Sequence, residues 1–202
     1  MKTSVRFSQR IWCRLRDHHI QADKQSETLS YVFARTIRTH DSVRVLVPHD
    51  APVLLLDDDC FVHRSAAGVS IKKRVLNQIL YKFAASDFNT LINVHDHWFD
   101  KSETAFSGID DADDRSFDRY LRHRFEPMLR KQPDFAVDRP LFNLSVVFCE
   151  GGASARLTDT REAQPFTPMD IQVVGDEYEC FPAVQLDTAS MEWLSRHKDF
   201  IG

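Results

Sequence analysis

His95-Asp96-His97, followed by Ser107-Gly108-Ile109-Asp110, gathers side chains whose types and spacing suit metal-assisted hydrolysis. The two histidines end an apolar run, Leu91-Ile92-Asn93-Val94, which predicts a strand. Side chains two apart on a strand share a face, so both imidazoles can reach one metal. Asp110 opens the next helical pattern and can close the site from the other side. Three protein ligands that leave a fourth position to water describe catalytic rather than structural zinc. Two plainer readings stand beside this one. An H-x-H pair alone is as readily two polar residues at a strand end, and Ser107 with Asp110 is as readily a helix N-cap with a carboxylate in the first turn. The second does not compete, because a helix N-terminus favours the ionised carboxylate, the form a metal needs.

These residues need a frame. Ser8 is a candidate cap for a first helix with Ile11, Trp12, Leu15 and His19 on one face. Residues 27–37, apolar and β-branched, read as a buried strand or a helix end running into one. Val43, Val45 and Val47 alternate in a strand over 42–47, and Pro52 to Leu56 adds extended structure. Val75, Ile79, Leu80 and Phe83 predict a helix over 71–86, and Phe117, Tyr120, Leu121, Phe125, Met128 and Leu129 another over 110–131. Further strands are expected over 141–149, 154–157 and 171–174, with a closing helix over 188–200. This mixed order predicts an α/β or α+β fold, a mixed β-sheet flanked by helices as a sandwich, forming a single domain over 1–202.

Composition narrows the partners. The formal net charge of -4 and the lack of a basic stripe argue against nucleic acid. The acidic runs Asp57-Asp58-Asp59 and Asp110 to Asp114 read as solvated loop or helix start, Asp110 excepted. Fifteen Phe residues point to a packed aromatic core. Cys13, Cys60, Cys149 and Cys180 are scattered without CxxC spacing, which argues against a zinc ribbon or redox motif and suggests buried free thiols. Met1 to Phe7 has no apolar signal core and no run reaches membrane-spanning length. A cytoplasmic protein with reduced cysteines and no membrane partner is therefore expected.

Two families that use H-x-H do not fit. Metallo-β-lactamase-type hydrolases continue the motif with Asp-His, whereas Trp98-Phe99-Asp100 follows here. An amidohydrolase barrel takes about 250 residues, more than this chain has. The series of a glutamate, then His95-x-His97, then Ser107-x-x-Asp110 resembles the JAB/MPN (JAMM) zinc metalloprotease family. Glu27-Thr28-Leu29-Ser30-Tyr31-Val32 resembles the segment that carries the family's glutamate, and the helix over 71–86 resembles the one before its H-x-H strand. The chain departs from the family at Trp98, where Pro is usual, and in a longer stretch between His97 and Ser107.

The resemblance implies a JAB/MPN-like, cytidine-deaminase-like sandwich and one Zn2+ per chain on His95, His97 and Asp110. It implies Glu27 as general base and Ser107 as oxyanion donor. The reaction would be peptide or isopeptide hydrolysis after the C-terminal tail of a ubiquitin-like protein. The chain is similar to small bacterial members found with ubiquitin-like conjugation systems, antiphage ones included, so activating or conjugating enzymes are possible partners. Trp98, Phe99 and Phe106 are candidates to contact an extended tail, or equally to pack in the core. A non-catalytic MPN scaffold and sulfur-carrier precursor processing are the alternatives.

Overall fold

Val5 and Phe7 alternate with more exposed residues along β1 (Lys2–Ser8), and this strand joins the two ends of the sheet. The computed structural model describes residues 2–20, 26–65, 68–97, 105–131, 140–149 and 151–175. After β1 come α1 (Gln9–His19), β2 (Leu29–Arg38), β3 (Ser42–Val47), β4 (Val53–Leu55), β5 (Phe61–Ser65), β6 (Gly68–Ile71) and α2 (Lys73–Ala84). Then follow β7 (Thr90–Asp96), α3 (Gly108–Tyr120), a π-helical turn (Leu121–Phe125), α4 (Glu126–Leu129), β8 (Phe142–Cys149), β9 (Gly152–Thr158) and β10 (Phe166–Val174).

Strand order runs β3-β1-β10-β9-β8-β7-β2, and β2 pairs back onto β3, so seven strands close into a barrel. β4 adds to β2, while β5 and β6 form a separate hairpin. β1 is parallel to both β3 and β10, with Val5 opposite Val45 and Ile171. The register places Val5, Phe7, Val45, Val32, Ile92, Val94, Leu144 and Val146 on one face, all fully buried at 0% exposure. β-Branched side chains suit this pleated surface.

Ser8 caps α1 as expected, its Oγ accepting from the Ile11 amide at 3.4 Å. Trp12 of α1 lies against Phe7 and Phe148, with ring centroids 5.2 and 4.9 Å apart. The opposite face of the sheet, carrying Phe33, Asn93, His95, Ser145 and Arg156, is covered by α2 and α3. Phe33 meets Phe83 of α2 at 5.3 Å, and α3 packs across β8 and β9.

The helix-flanked α/β sandwich expected from the sequence, JAB/MPN-like or otherwise, is therefore corrected. Strand exceeds helix among the described residues, and the sheet has no open ends to be flanked because β1 closes it. The reason is physical. A parallel strand joined to partners far along the chain carries little local signal, and β1 shows only Val5 and Phe7. Cys60 and Cys149 are free thiols. Among the described residues no helix is long and apolar enough to cross a membrane. The closing helix expected over 188–200 lies outside the described residues.

Phe7 tests the closure. Phe7→Ala should cost about 3–5 kcal/mol in urea denaturation, whereas Lys2→Ala on the same strand should stay within about 0.5 kcal/mol. Equal small effects would contradict a buried closing strand.

Candidate metal centre

β7 is a central strand, paired antiparallel with β2 and parallel with β8. His95 sits on its covered face. His97 lies one residue past the strand, but its amide donates to the Phe148 carbonyl at 3.0 Å. This bond extends the ladder, so the imidazole returns to the face of His95, and the two ring centroids are 5.2 Å apart.

Asp110 is held by a capping box. Ser107 Oγ accepts from the Asp110 amide at 3.2 Å, and Asp110 Oδ2 accepts from the Ser107 amide at 2.6 Å. The reading of Ser107 and Asp110 as helix cap and the reading as site residues are thus compatible. Asp110 Oδ1 lies 3.2 Å from His95 Nε2, and Oδ2 lies 3.3 Å from His97 Nε2. One ligand atom from each residue falls within 4.8 Å of the others, so this buried group could bind a metal ion.

Three observations fit a metal there. His95 Nε2 is buried without a hydrogen-bond partner, its approach to Asp110 lacking the required geometry; such an atom is costly unless something else ligates it. Ligand atoms around a tetrahedral zinc with bonds of about 2.0–2.1 Å lie about 3.3 Å apart, close to the two imidazole–carboxylate separations. Asp110 is also kept ionised. Burial raises its pKa, but His95, His97 and the Ser107 amide outweigh this and hold it well below the carboxylate range. The same carboxylate, accepting from the ring, raises the pKa of His97 against the opposing effect of burial.

Glu27 reaches this group just before β2, whose Leu29 pairs with His95. The residue is only 7% exposed. Burial drives its carboxyl from 4.5 up to about 7, against the pull of His95 and His97 and with the repulsion of Asp96 and Asp110. These neighbours put the carboxyl within electrostatic reach of the ligand set. The structure thus brings together Glu27, His95, His97, Ser107 and Asp110. Phe106 stands half-buried beside them. Its ring meets His95 edge-on at 6.1 Å, and the Arg156 guanidinium lies 3.8 Å from its centroid. Trp98 and Phe99 lie outside the described residues.

Several surrounding residues escaped the sequence reading. Asp96, between the histidines, points to the other face of β7, where Oδ1 is 2.9 Å from His19 Nδ1 and accepts from the Thr28 amide at 2.9 Å. The carboxylates read as solvated are partly internal. Asp114 accepts from Ser145 at 2.5 Å and from Arg156 Nε at 2.9 Å, and this pins α3 beneath Asp110. The only available signal was period: Asp110 and Asp114 are four apart and share a helix face.

Comparison with protein-family models and with curated proteins finds no match for this chain.

The sign of a pH effect follows from Glu27. Its folded pKa lies above its ordinary value, so between 4.5 and about 7 the folded chain binds more protons and loses stability as pH rises. His97, also raised, adds a loss in the same direction at the upper end. Melts of chelator-treated protein at about pH 5 and about pH 7.5 should show this fall, and Glu27→Gln should flatten it. An equal slope in the variant would assign the effect elsewhere.

Proposed function

We propose that this chain is a zinc-dependent peptidase or isopeptidase that cleaves after the C-terminal tail of a ubiquitin-like protein. The observation that carries this reading is the meeting of Glu27 with His95, His97 and Asp110. A buried carboxyl with a pKa of about 7 beside a ligand set is suited to move protons at neutral pH.

His95, His97 and Asp110 would hold the zinc, which when bound supplies Lewis acidity at neutral pH. Glu27 takes the proton that an attacking water loses and returns it to the departing amine. Ser107 uses a lone pair to accept from the Asp110 amide, which leaves its hydroxyl hydrogen to donate to the oxygen of the scissile carbonyl as charge builds there. Phe106 and its Arg156 support wall the histidine side of the site. No acyl-enzyme is formed, and the free thiols of Cys60 and Cys149 take no part. The substrate class rests on the motif resemblance, which remains a likeness of site residues and not of the sandwich fold.

The test combines elemental analysis with cleavage of a linear fusion that carries a ubiquitin-like domain and its tail ahead of a reporter. Wild type should hold about one zinc per chain and cleave at the end of the tail. His97→Ala should lose both properties, and Glu27→Gln should keep zinc and stop turnover. Ser107→Ala should keep zinc and slow cleavage by about 10²–10³. A chain that binds no zinc when it is supplied, or a fully active Glu27→Gln, overturns the reading.

A further inference from the structure

We infer that Arg64, on the β5–β6 hairpin, is a positioning residue that sets the reach of Glu27 into the metal centre. Its Nε donates to the Glu27 carbonyl at 2.8 Å, and its Nη2 donates to Thr28 Oγ1 at 3.0 Å. The next residue completes the latch: the Ser65 carbonyl accepts from the Glu27 amide at 2.9 Å. On the far side, Asp96 takes the Thr28 amide at 2.9 Å. Glu27 precedes β2 and so has no ladder bonds of its own. The hairpin satisfies both of its backbone polar groups, which a buried segment requires.

The guanidinium suits this task. Its donors lie in a fixed plane, so bonds from Nε and Nη2 to two successive residues fix both the position and the twist of that segment. Its remaining nitrogen, Nη1, pairs with Asp58, and the plane lies 5.3 Å from the Phe61 ring centroid. The arginine is therefore aimed from two sides, by Asp58 and Phe61, before it meets Glu27. A small rotation of the Glu27 backbone swings the carboxyl at the end of a three-bond side chain, and misplacement of a reacting group by about 1 Å can cost about 10² in rate.

This inference rests on Glu27 being the proton carrier, and its test separates the two. Arg64→Ala, Arg64→Lys, Thr28→Val and Asp58→Asn are compared for zinc content, amide hydrogen exchange at Glu27 and Thr28, and kcat and KM on the tail-reporter fusion. Arg64→Ala should keep zinc, speed exchange at Glu27 by about tenfold or more, and lower kcat by about tenfold with KM within about twofold. Arg64→Lys should restore part of both effects, because an ammonium can still reach one acceptor. Thr28→Val, which removes one acceptor and leaves the hairpin intact, should give a smaller change of the same kind. Asp58→Asn, which loosens only the outer side of the guanidinium, should have a smaller effect than Arg64→Ala on both readouts.

Unchanged exchange and kcat in Arg64→Ala overturn the inference. So does an Asp58→Asn effect equal to that of Arg64→Ala, which would trace the loss to the hairpin as a whole. If Arg64→Ala fails to fold, Thr28→Val decides: wild-type exchange and kcat there overturn the positioning role. If the wild type cleaves nothing, the peptidase reading falls, and the exchange data alone decide whether Arg64 holds Glu27.

Discussion

Alternation along β7 divides His95-Asp96-His97 between two buried networks, and the site depends on that division. The histidines face the side covered by helices, where Asp110 meets them. Asp96 faces the other way, toward His19 and Ser30. A one-residue slip of β7 would exchange these faces. It would put a carboxylate among Glu27 and Asp110 and strand the imidazoles against the barrel core. The slip is opposed from both sides, by β2 through Leu29 to Ala34 and by β8 through Phe142 to Phe148. The bond from the His97 amide to Phe148 carries the register one residue past the strand.

Once the register is set, crowded charge shapes the chemistry. Asp96 and Asp110 both lie close enough to Glu27 to raise its pKa, and Glu27 is largely removed from water. Buried and so surrounded, Glu27 cannot ionise at an ordinary carboxyl pKa. Asp110 takes the charge because two imidazoles and a backbone amide favour it. Glu27, buried and repelled by its carboxylate neighbours, keeps its proton to higher pH. Environments that push two carboxyls in opposite directions let one serve as ligand and the other as proton carrier. Asp110 can hold its place because α3 is anchored from below, with Asp114 bound to Arg156 and Asp118 bound to Arg122 and Thr160.

How much of this was legible follows from how local each signal is. The H-x-H pair at a strand end and the Ser107–Asp110 turn are short-range patterns, and both appear where the sequence places them. α1, α2, β3, β7 and β8 likewise carry their periodicity within a few turns or residues. Glu27 was reachable only through a family resemblance, since nothing adjacent distinguishes it from an exposed glutamate. Asp114 reads as solvent-facing because its partners, Ser145 and Arg156, lie far along the chain. The β5–β6 hairpin was missed because Phe61-Val62-His63-Arg64-Ser65 does not alternate, and Val62 is 71% exposed. β1 was missed for the related reason that its meaning lies in two distant parallel partners.

The mistaken fold class and the assembled site are consistent with each other. The site asks three things of its frame: a strand end that presents two imidazoles, a capped helix start that presents a carboxylate, and a latch that brings Glu27 across. Each is met within a few residues of the group it holds, and none depends on whether the sheet's far ends stay open or meet. Closure through β1 acts at the other side of the ring, where Val5, Phe7 and Val45 supply burial but no chemistry. A sequence can therefore state its site plainly and its architecture poorly. Site motifs are set by reach between side chains, whereas barrel closure is set by pairings whose partners are distant in sequence.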